Sequence, residues 1–209
     1  MPDDLDEILR QAQDLGMFGP GPIAEHRRHA AELSRLALSG LEHPLAFLDL
    51  GSGGGLPGLV LAWALPDSDH LTGALLDAQR RRAAFLEAAV GRLGVAGRIQ
   101  IVLARAEDAA RDVAHRERYD LVVARAFGPP AISAECAVAF LRPGGRLVVS
   151  EPPDADSSRW DEEQLAALGL SPPELRASAH AHAAVLHRQA DLSDRWPRKR
   201  GIPEKRPLW

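Results

Sequence analysis

The sequence predicts an α/β fold, a doubly wound and mainly parallel sheet with N-terminal helices before it and a basic C-terminal tail after it. Three observations lead there. Five short apolar runs rich in β-branched residues alternate with segments of helical period, which implies parallel strands joined by right-handed crossovers, with helices on both faces. The first strand runs straight into "GSGGGLPG", a glycine-rich turn at the carboxyl edge, where open α/β sheets place their ligands. The 209 residues, 45% hydrophobic and 26% charged, suffice for one sizeable core with appendages.

Taken in order, two helices are expected first, roughly residues 5–15 and 22–41, split by the breaker "GMFGPGP". "LAFLDLG" then reads as a strand, "GLVLAWAL" as a helix, "LTGALLD" as a strand and "RRRAAFLEAAVGRLG" as a helix ended by Gly94. The alternation repeats with "RIQIVLA" (98–104) as strand, "EDAARDVAH" as a short helix, "YDLVVARA" as strand, "AISAECAVAFL" as helix and "GRLVVSE" (145–151) as strand. "DEEQLAALG" reads as a further helix, and "PELRASAH" with "HAAVLHRQ" as a closing pair of strands. The division is a helical segment over 1–44 packed on the core, a core over 45–190, and a basic tail over 191–209. No internal repeat or low-complexity linker interrupts it.

Composition narrows the function. A single cysteine, Cys136, excludes an internal disulfide, and the absence of cysteine–histidine clusters at ligand spacing points to no metal. The acidic start "MPDDLDEILRQ" lacks the pattern of an export signal, and no run approaches twenty apolar residues, so a cytoplasmic protein with no membrane partner is expected. The net charge of −4 is unevenly spread. From Arg195 to Trp209 six Lys/Arg stand against Glu204 alone, a tail of +5 on a remainder of −9.

Gly51, Gly53 and Gly55 follow Asp49 in a G-x-G-x-G spacing, so the backbone can turn with positive φ and approach a ligand without Cβ clashes. Asp77 ends the second strand, where a carboxylate accepts hydrogen bonds from both hydroxyls of a ribose. The dinucleotide fingerprint would need glycine at position 56, where Leu56 stands, and no Gly-Lys-Ser/Thr phosphate loop exists. S-adenosylmethionine carries no phosphate and needs no phosphate cradle. After the third strand, Glu107 is placed to meet an adenine edge, and a methyl donor becomes the leading ligand.

The stretches "FLDLGSGGGLPG", "LLDAQRRRAAFLEAAVGRLGV", "ARAED", "YDLVVARAF" and "LRPGGRLVV", with the tail "RWPRKRGIPEKRPL", together resemble the RsmG (GidB) family, bacterial methyltransferases of 16S ribosomal RNA acting on guanine N7. The resemblance covers roughly residues 45–151 and 195–208. It implies a Rossmann-like class I methyltransferase fold, S-adenosyl-L-methionine as cofactor and 16S rRNA or the small ribosomal subunit as partner. It also implies donor-binding positions at Gly51, Leu56, Ala106, Glu107 and Arg125. Two segments depart from the family pattern. "GPGPIAEHRRHAAELSRL" keeps a histidine but no Asp-Ser, and "SEPP" (150–153) stands where a lysine followed by glycine is usual. Donor binding therefore transfers better than substrate identity. Another RNA, a protein or a small molecule as acceptor, or a donor-binding protein without transfer, remain open alternatives.

Guanine N7 has a free lone pair and needs no general base, which suits "VARAFGPP" at the end of the fourth strand, with no carboxylate or histidine there. An amine acceptor would call for an Asn/Asp-Pro-Pro-aromatic element, which is missing. A guanidinium forked onto O6 and N7 would occupy the attacking lone pair, so Arg125 is expected on the donor's carboxylate or an RNA phosphate. Phe127 is a candidate to stack on a base, with core packing as the alternative. Arg198, Lys199 and Arg200 are expected to meet phosphates along a proline-extended track, the alternative being a tail packed on the domain and anchored by Trp196 and Leu208. His26 and His29 lie three apart on a helix, where a solvated face accounts for them equally well.

Overall fold

A computed structural model of the protein describes residues 2–41, 45–64 and 71–209. Helix α1 (Pro2–Asp14) buries Leu5, Ile8, Leu9 and Ala12, the spacing of one helical face. Helix α2 (Ile23–Leu38) buries Ala30, Leu33 and Ala37 and stops three residues short of the expected end. Its carboxyl end is received by Arg146, whose Nη1 donates to Ala37 O (3.0 Å) and Ser39 O (2.8 Å), a cation where the helix dipole is negative.

The sheet has seven strands: β1 (Leu45–Leu50), β2 (Leu71–Asp77), β3 (Ile99–Leu103), β4 (Tyr119–Ala124), β5 (Leu141–Glu151), β6 (Glu174–Ala177) and β7 (His182–His187). Their order is β3-β2-β1-β4-β5-β7-β6. The first five are parallel, and β7 runs antiparallel to both β5 and β6. Between them lie α3 (Gly58–Trp63), α4 (Arg80–Arg92), α5 (Ala106–Ala109), α6 (Pro130–Val138) and α7 (Glu162–Ala167), and α8 (Ile202–Lys205) falls in the tail. Leu65, expected at the end of the third helix, and the boundary at residue 44 lie outside the described residues.

Alternation along each strand sorts the core into two layers. Leu45 and Phe47 of β1, Leu71 and Leu75 of β2, and Leu121 and Val123 of β4 face the layer that α1 to α4 complete. Leu48, Leu50, Leu76, Val122 and Ala124 face the other, shared with α5, α6, Trp160 and Trp196. The N-terminal helices are thus built into one side of the same core as the sheet.

Strand five differs from expectation: it begins at Leu141 rather than 145, and α6 ends at Val138. The reason lies in the preceding backbone. Ala139 O accepts from Glu117 N and Phe140 O from Arg118 and Tyr119 N, so those carbonyls pair sideways with the approach to β4 instead of continuing a helix. The pairing starts at Tyr119↔Leu141, then shifts register before Leu121↔Arg146. The order also places β1 beside β4, with the connections leaving them in opposite directions, and this opens a crevice at their carboxyl ends.

Candidate functional site

The glycine turn sits at that crevice, held from beneath by the last residues of two neighbouring strands. Gly51 N and Ser52 N both donate to Leu76 O at 2.9 Å. Gly53 N donates to Asp77 Oδ2 (3.0 Å) and Gly58 N to Asp49 Oδ2 (2.9 Å). Gly53 has φ +54°, and a Cβ there would meet nothing closer than Met17 O at 3.4 Å, so its requirement is conformational. Gly58 is needed for close approach: a Cβ would lie 2.4 Å from Leu75 Cδ2 and 2.5 Å from Asp49 Oδ2. Gly55 closes the turn through its N–H to Ser52 O (2.7 Å), while the Leu56 side chain is buried in the core below.

Over the turn lies a cavity of about 430 Å³, within the range of small-molecule sites. Gly51, Asp77, Ala106, Glu107, Phe127 and, from the tail, Pro203 are among its walls. The Phe127 ring lies flush against the turn, since a Cβ on Gly51 would come within 2.6 Å of its Cδ2. Cys136 also lines the cavity, with its thiol pushed far up by burial and so kept neutral.

Two carboxylates expected to stand free for a nucleoside are already engaged. Asp77 is buried and accepts from Gly53 N on Oδ2 and Gln79 N on Oδ1 (2.8 Å), with Arg82 Nη1 at 3.5 Å. It therefore shapes the turn, and only its remaining lone pairs reach the cavity. Glu107 accepts from Gly201 N (2.8 Å), because the tail crosses directly over α5.

On the other side of the turn, Asp49 and Arg125 face the same layer. Asp49 is buried, and burial pushes its carboxyl up from 3.8 to about 7 against the opposing pull of the Gly58 N–H and Arg125. Its Oδ1 has no hydrogen-bond partner among the described residues, and neither has Arg125 Nη1. Arg125, with its guanidinium lowered by burial, is neither solvent-facing nor closed in an ion pair; its Nη2 lies 3.2 Å from His26 Nδ1. His29 Nε2 lies 3.4 Å from Ser150 Oγ, and burial, with Arg125 nearby, lowers its pKa to about 4, leaving the ring neutral. His26 and His29 are therefore turned toward the sheet edge rather than onto a solvated helix face. One carboxyl oxygen and one guanidinium nitrogen, each buried without a partner among the described residues, complement the ammonium and carboxylate of an amino-acid group. Together with a turn in which Gly51, Gly53, Gly54 and Gly55 carry no Cβ, these residues fit S-adenosylmethionine.

The tail does not form the free extended track expected for it. Trp196, Pro197 and Pro203 are buried, and Gly201, in a left-handed conformation, starts α8. Arg198 pairs through Nε (2.8 Å) and Nη2 (2.6 Å) with Glu135, whose fully buried carboxylate also accepts from Arg198 N. Arg198 is thus a structural cation and not an open phosphate ligand. Lys199 and Arg200 are exposed, Arg200 loosely paired with Asp108 at 3.6 Å. Leu208 is partly buried, and Trp209 Nε1 donates to Arg159 O (2.9 Å), fastening the end.

Sequence reasoning missed two contributors, Pro203 and Glu135, and singled out His26 without a role. Glu135 was visible as a lone acid inside the apolar "AISAECAV", but its partner is 63 residues away and nothing local announces it. Among the described residues no group of three or more His, Cys, Asp or Glu is arranged to hold a metal, and no helix is long and apolar enough to cross a membrane.

Residues 26–167 match the family described as rRNA small subunit methyltransferase G. The chain is 37% identical over 170 residues to a ribosomal RNA small subunit methyltransferase G of Rubrobacter xylanophilus, covering 77% of this chain and 64% of that protein. It is 35% identical over 202 residues to the protein of the same name in Symbiobacterium thermophilum, covering 89% and 78%. Its fold is similar to that of the O-methyltransferase of Bacillus cereus solved in complex with SAH, with a TM-score of 0.63, 16% identity, and 88% and 89% of the two chains covered.

Proposed function

Because this chain belongs to the rRNA small subunit methyltransferase G family, we propose that it transfers a methyl group from S-adenosylmethionine to N7 of a guanine in 16S ribosomal RNA of the small subunit. The observation that carries the reading is the pairing of two features at one sheet edge. A cavity of about 430 Å³ lies over a glycine turn, behind whose walls Asp49 Oδ1 and Arg125 Nη1 are buried without partners among the described residues, and the segment closing β4, residues 125–130, holds no proton acceptor. When bound, the donor supplies a methyl group on an electron-poor sulfonium.

The chain's own part is to place and orient. Arg125 receives the carboxylate of the amino-acid end, Asp49 the ammonium, and the spare lone pairs of Asp77 the ribose hydroxyls. Ala106 and Glu107 border the base. Keeping Arg125 on the carboxylate leaves the N7 lone pair free to attack. Phe127, on the cavity rim, offers a ring face to the incoming guanine. Lys199 and Arg200 extend a cationic edge for phosphates, as expected of an enzyme working on ribosomal RNA in the cytoplasm.

The test is incubation with isotopically labelled donor and small subunits that lack the modification, followed by mapping of the labelled nucleotide. A single N7-methylated guanine is expected. Binding of donor with no label on subunits or on their naked RNA would move the acceptor elsewhere and overturn the reading.

A further inference from the structure

The breaker between α1 and α2 does more than separate two helices. Gln13 Nε2 donates to both Gly19 O (3.0 Å) and Gly21 O (2.9 Å), which pins the loop across the end of α1. The loop then meets the glycine turn: Met17 O is the nearest atom to a Cβ on Gly53, and Phe18 Cδ1 would lie 2.7 Å from one on Gly54. Phe18 also packs edge-on to the His26 ring, with centroids 5.0 Å apart. Gly21, at φ +131°, leaves room for that ring, because a Cβ there would sit 3.2 Å from His26 Nε2. The loop is thus a fitted seat for one imidazole beside the turn.

Both ring nitrogens of His26 have partners, and the partners dictate the tautomer. Nε2 lies 3.2 Å from Pro20 O, which can only accept, so Nε2 carries the proton. Nδ1 is then the acceptor, and its partner at 3.2 Å is Arg125 Nη2, which can only donate. A chain of two oriented hydrogen bonds runs from the Pro20 carbonyl through the ring to the guanidinium. The other end of that guanidinium, Nη1, is buried and has no partner among the described residues, as is the case for Asp49 Oδ1, whose carboxyl feels the Arg125 charge.

We propose that His26 is a positioning residue: the Nδ1 lone pair fixes the Arg125 guanidinium so that Nη1 presents itself to the donor's carboxylate. This rests on the reading of the cavity as a methyl-donor site. The N-terminal segment then takes part in donor binding through Arg125, by way of a histidine whose Nε2 is held by the Pro20 carbonyl and whose ring packs on Phe18.

Two substitutions separate this role from a purely structural one. In His26→Asn the amide oxygen falls near the position of Nδ1 and still accepts from Arg125, while in His26→Gln the amide nitrogen reaches the position of Nε2 and still donates to Pro20. Binding of S-adenosylhomocysteine, which has the carboxylate, and of 5′-methylthioadenosine, which lacks it, is measured by titration calorimetry alongside melting temperatures. His26→Asn is expected to bind S-adenosylhomocysteine within a few-fold of the unaltered chain and His26→Gln about tenfold more weakly, while both keep their affinity for 5′-methylthioadenosine. In an Arg125→Lys background, His26→Gln should cause little further loss. Rescue by Gln instead of Asn, equal affinity in both variants, or parallel loss of both ligands would overturn the proposal. Failure of the unaltered chain to bind either ligand would instead refute the donor-site reading beneath it.

Discussion

Single side chains at this site combine architecture with recognition, and Asp77 shows why the two must be measured separately. Because its oxygens hold the amides of Gly53 and Gln79, Asp77→Ala is expected to cost roughly 2 kcal/mol of stability for two backbone bonds as well as weakening donor binding by about 1.5–3 kcal/mol. Chemical denaturation gives the first and calorimetric titration the second. An unchanged dissociation constant would remove Asp77 from the ribose. Asp49 makes a pH-dependent prediction. Its carboxyl titrates near 7 in the fold against 3.8 in an open chain, so between those values the folded chain keeps a proton that the unfolded chain releases. Its contribution to stability is therefore full below a pH of about 4 and is lost as pH rises through about 7, at no more than about 1.4 kcal/mol per pH unit. Asp49→Asn, which keeps an acceptor for Gly58 N, should flatten that part of the stability profile and be more stable than the unaltered chain at pH 8. An unaltered slope in this variant would mean that another group is responsible.

Among the elements, those whose partners lie nearby in sequence were the legible ones. Short continuous apolar runs placed β1 to β4, and a helical period placed α4, to within a few residues, because their own side chains dictate their burial. The start of β5 was not legible, since it depends on carbonyls taken by residues just before β4. In the tail, the packed alternative anchored by Trp196 and Leu208 is the one the structure adopts, in place of the proline-extended track. The tail's prolines and cations describe an extended polycation and Trp196 marks an anchor, but that Arg198 finds Glu135 while Pro197 and Pro203 become buried leaves no trace in local composition. At the site, the place of the glycine turn and of Asp77 at the end of β2 could be read from spacing, whereas the holding of Gly53 and Gln79 by Asp77, the engagement of Glu107 by Gly201 and the seating of His26 on Pro20 depend on tertiary approach. The ion pair supplies the prediction for this scale. Arg198→Ser leaves a fully buried carboxylate without its cation, so a loss of about 3 kcal/mol or more is expected, with increased proteolysis after residue 195. A double change, Arg198→Met with Glu135→Leu, should recover much of that loss. If the single variant melts like the unaltered chain, the tail is not fastened by this pair.

Across the whole molecule, a +5 tail is folded back over an otherwise acidic chain, with Pro203 and Glu204 walling the cavity and Lys199, Arg200, Lys205 and Arg206 left exposed. A polyanionic acceptor meets net repulsion from a chain that carries −9 outside the tail, screened over about a Debye length, roughly 8 Å at physiological salt, and the exposed cations of the tail offset it locally. The same segment thus closes one side of the cavity with its buried residues and faces solvent with its cations. Those two roles separate by residue. Lys199→Ser with Arg200→Ser removes only exposed charge, apart from the loose contact to Asp108, and leaves Arg198, Gly201 and Pro203 in place. Donor affinity and melting temperature are therefore expected to stay near those of the unaltered chain. Affinity for the small subunit should fall, and the slope of log affinity against log salt should become shallower by up to about 2, if each cation releases the counterions of one phosphate. Measuring donor and subunit binding on the same preparation across a salt series checks both halves. A parallel fall in donor affinity would show that the tail's cations hold the cavity wall, and an unchanged salt slope would show that the acceptor reaches the site along another face.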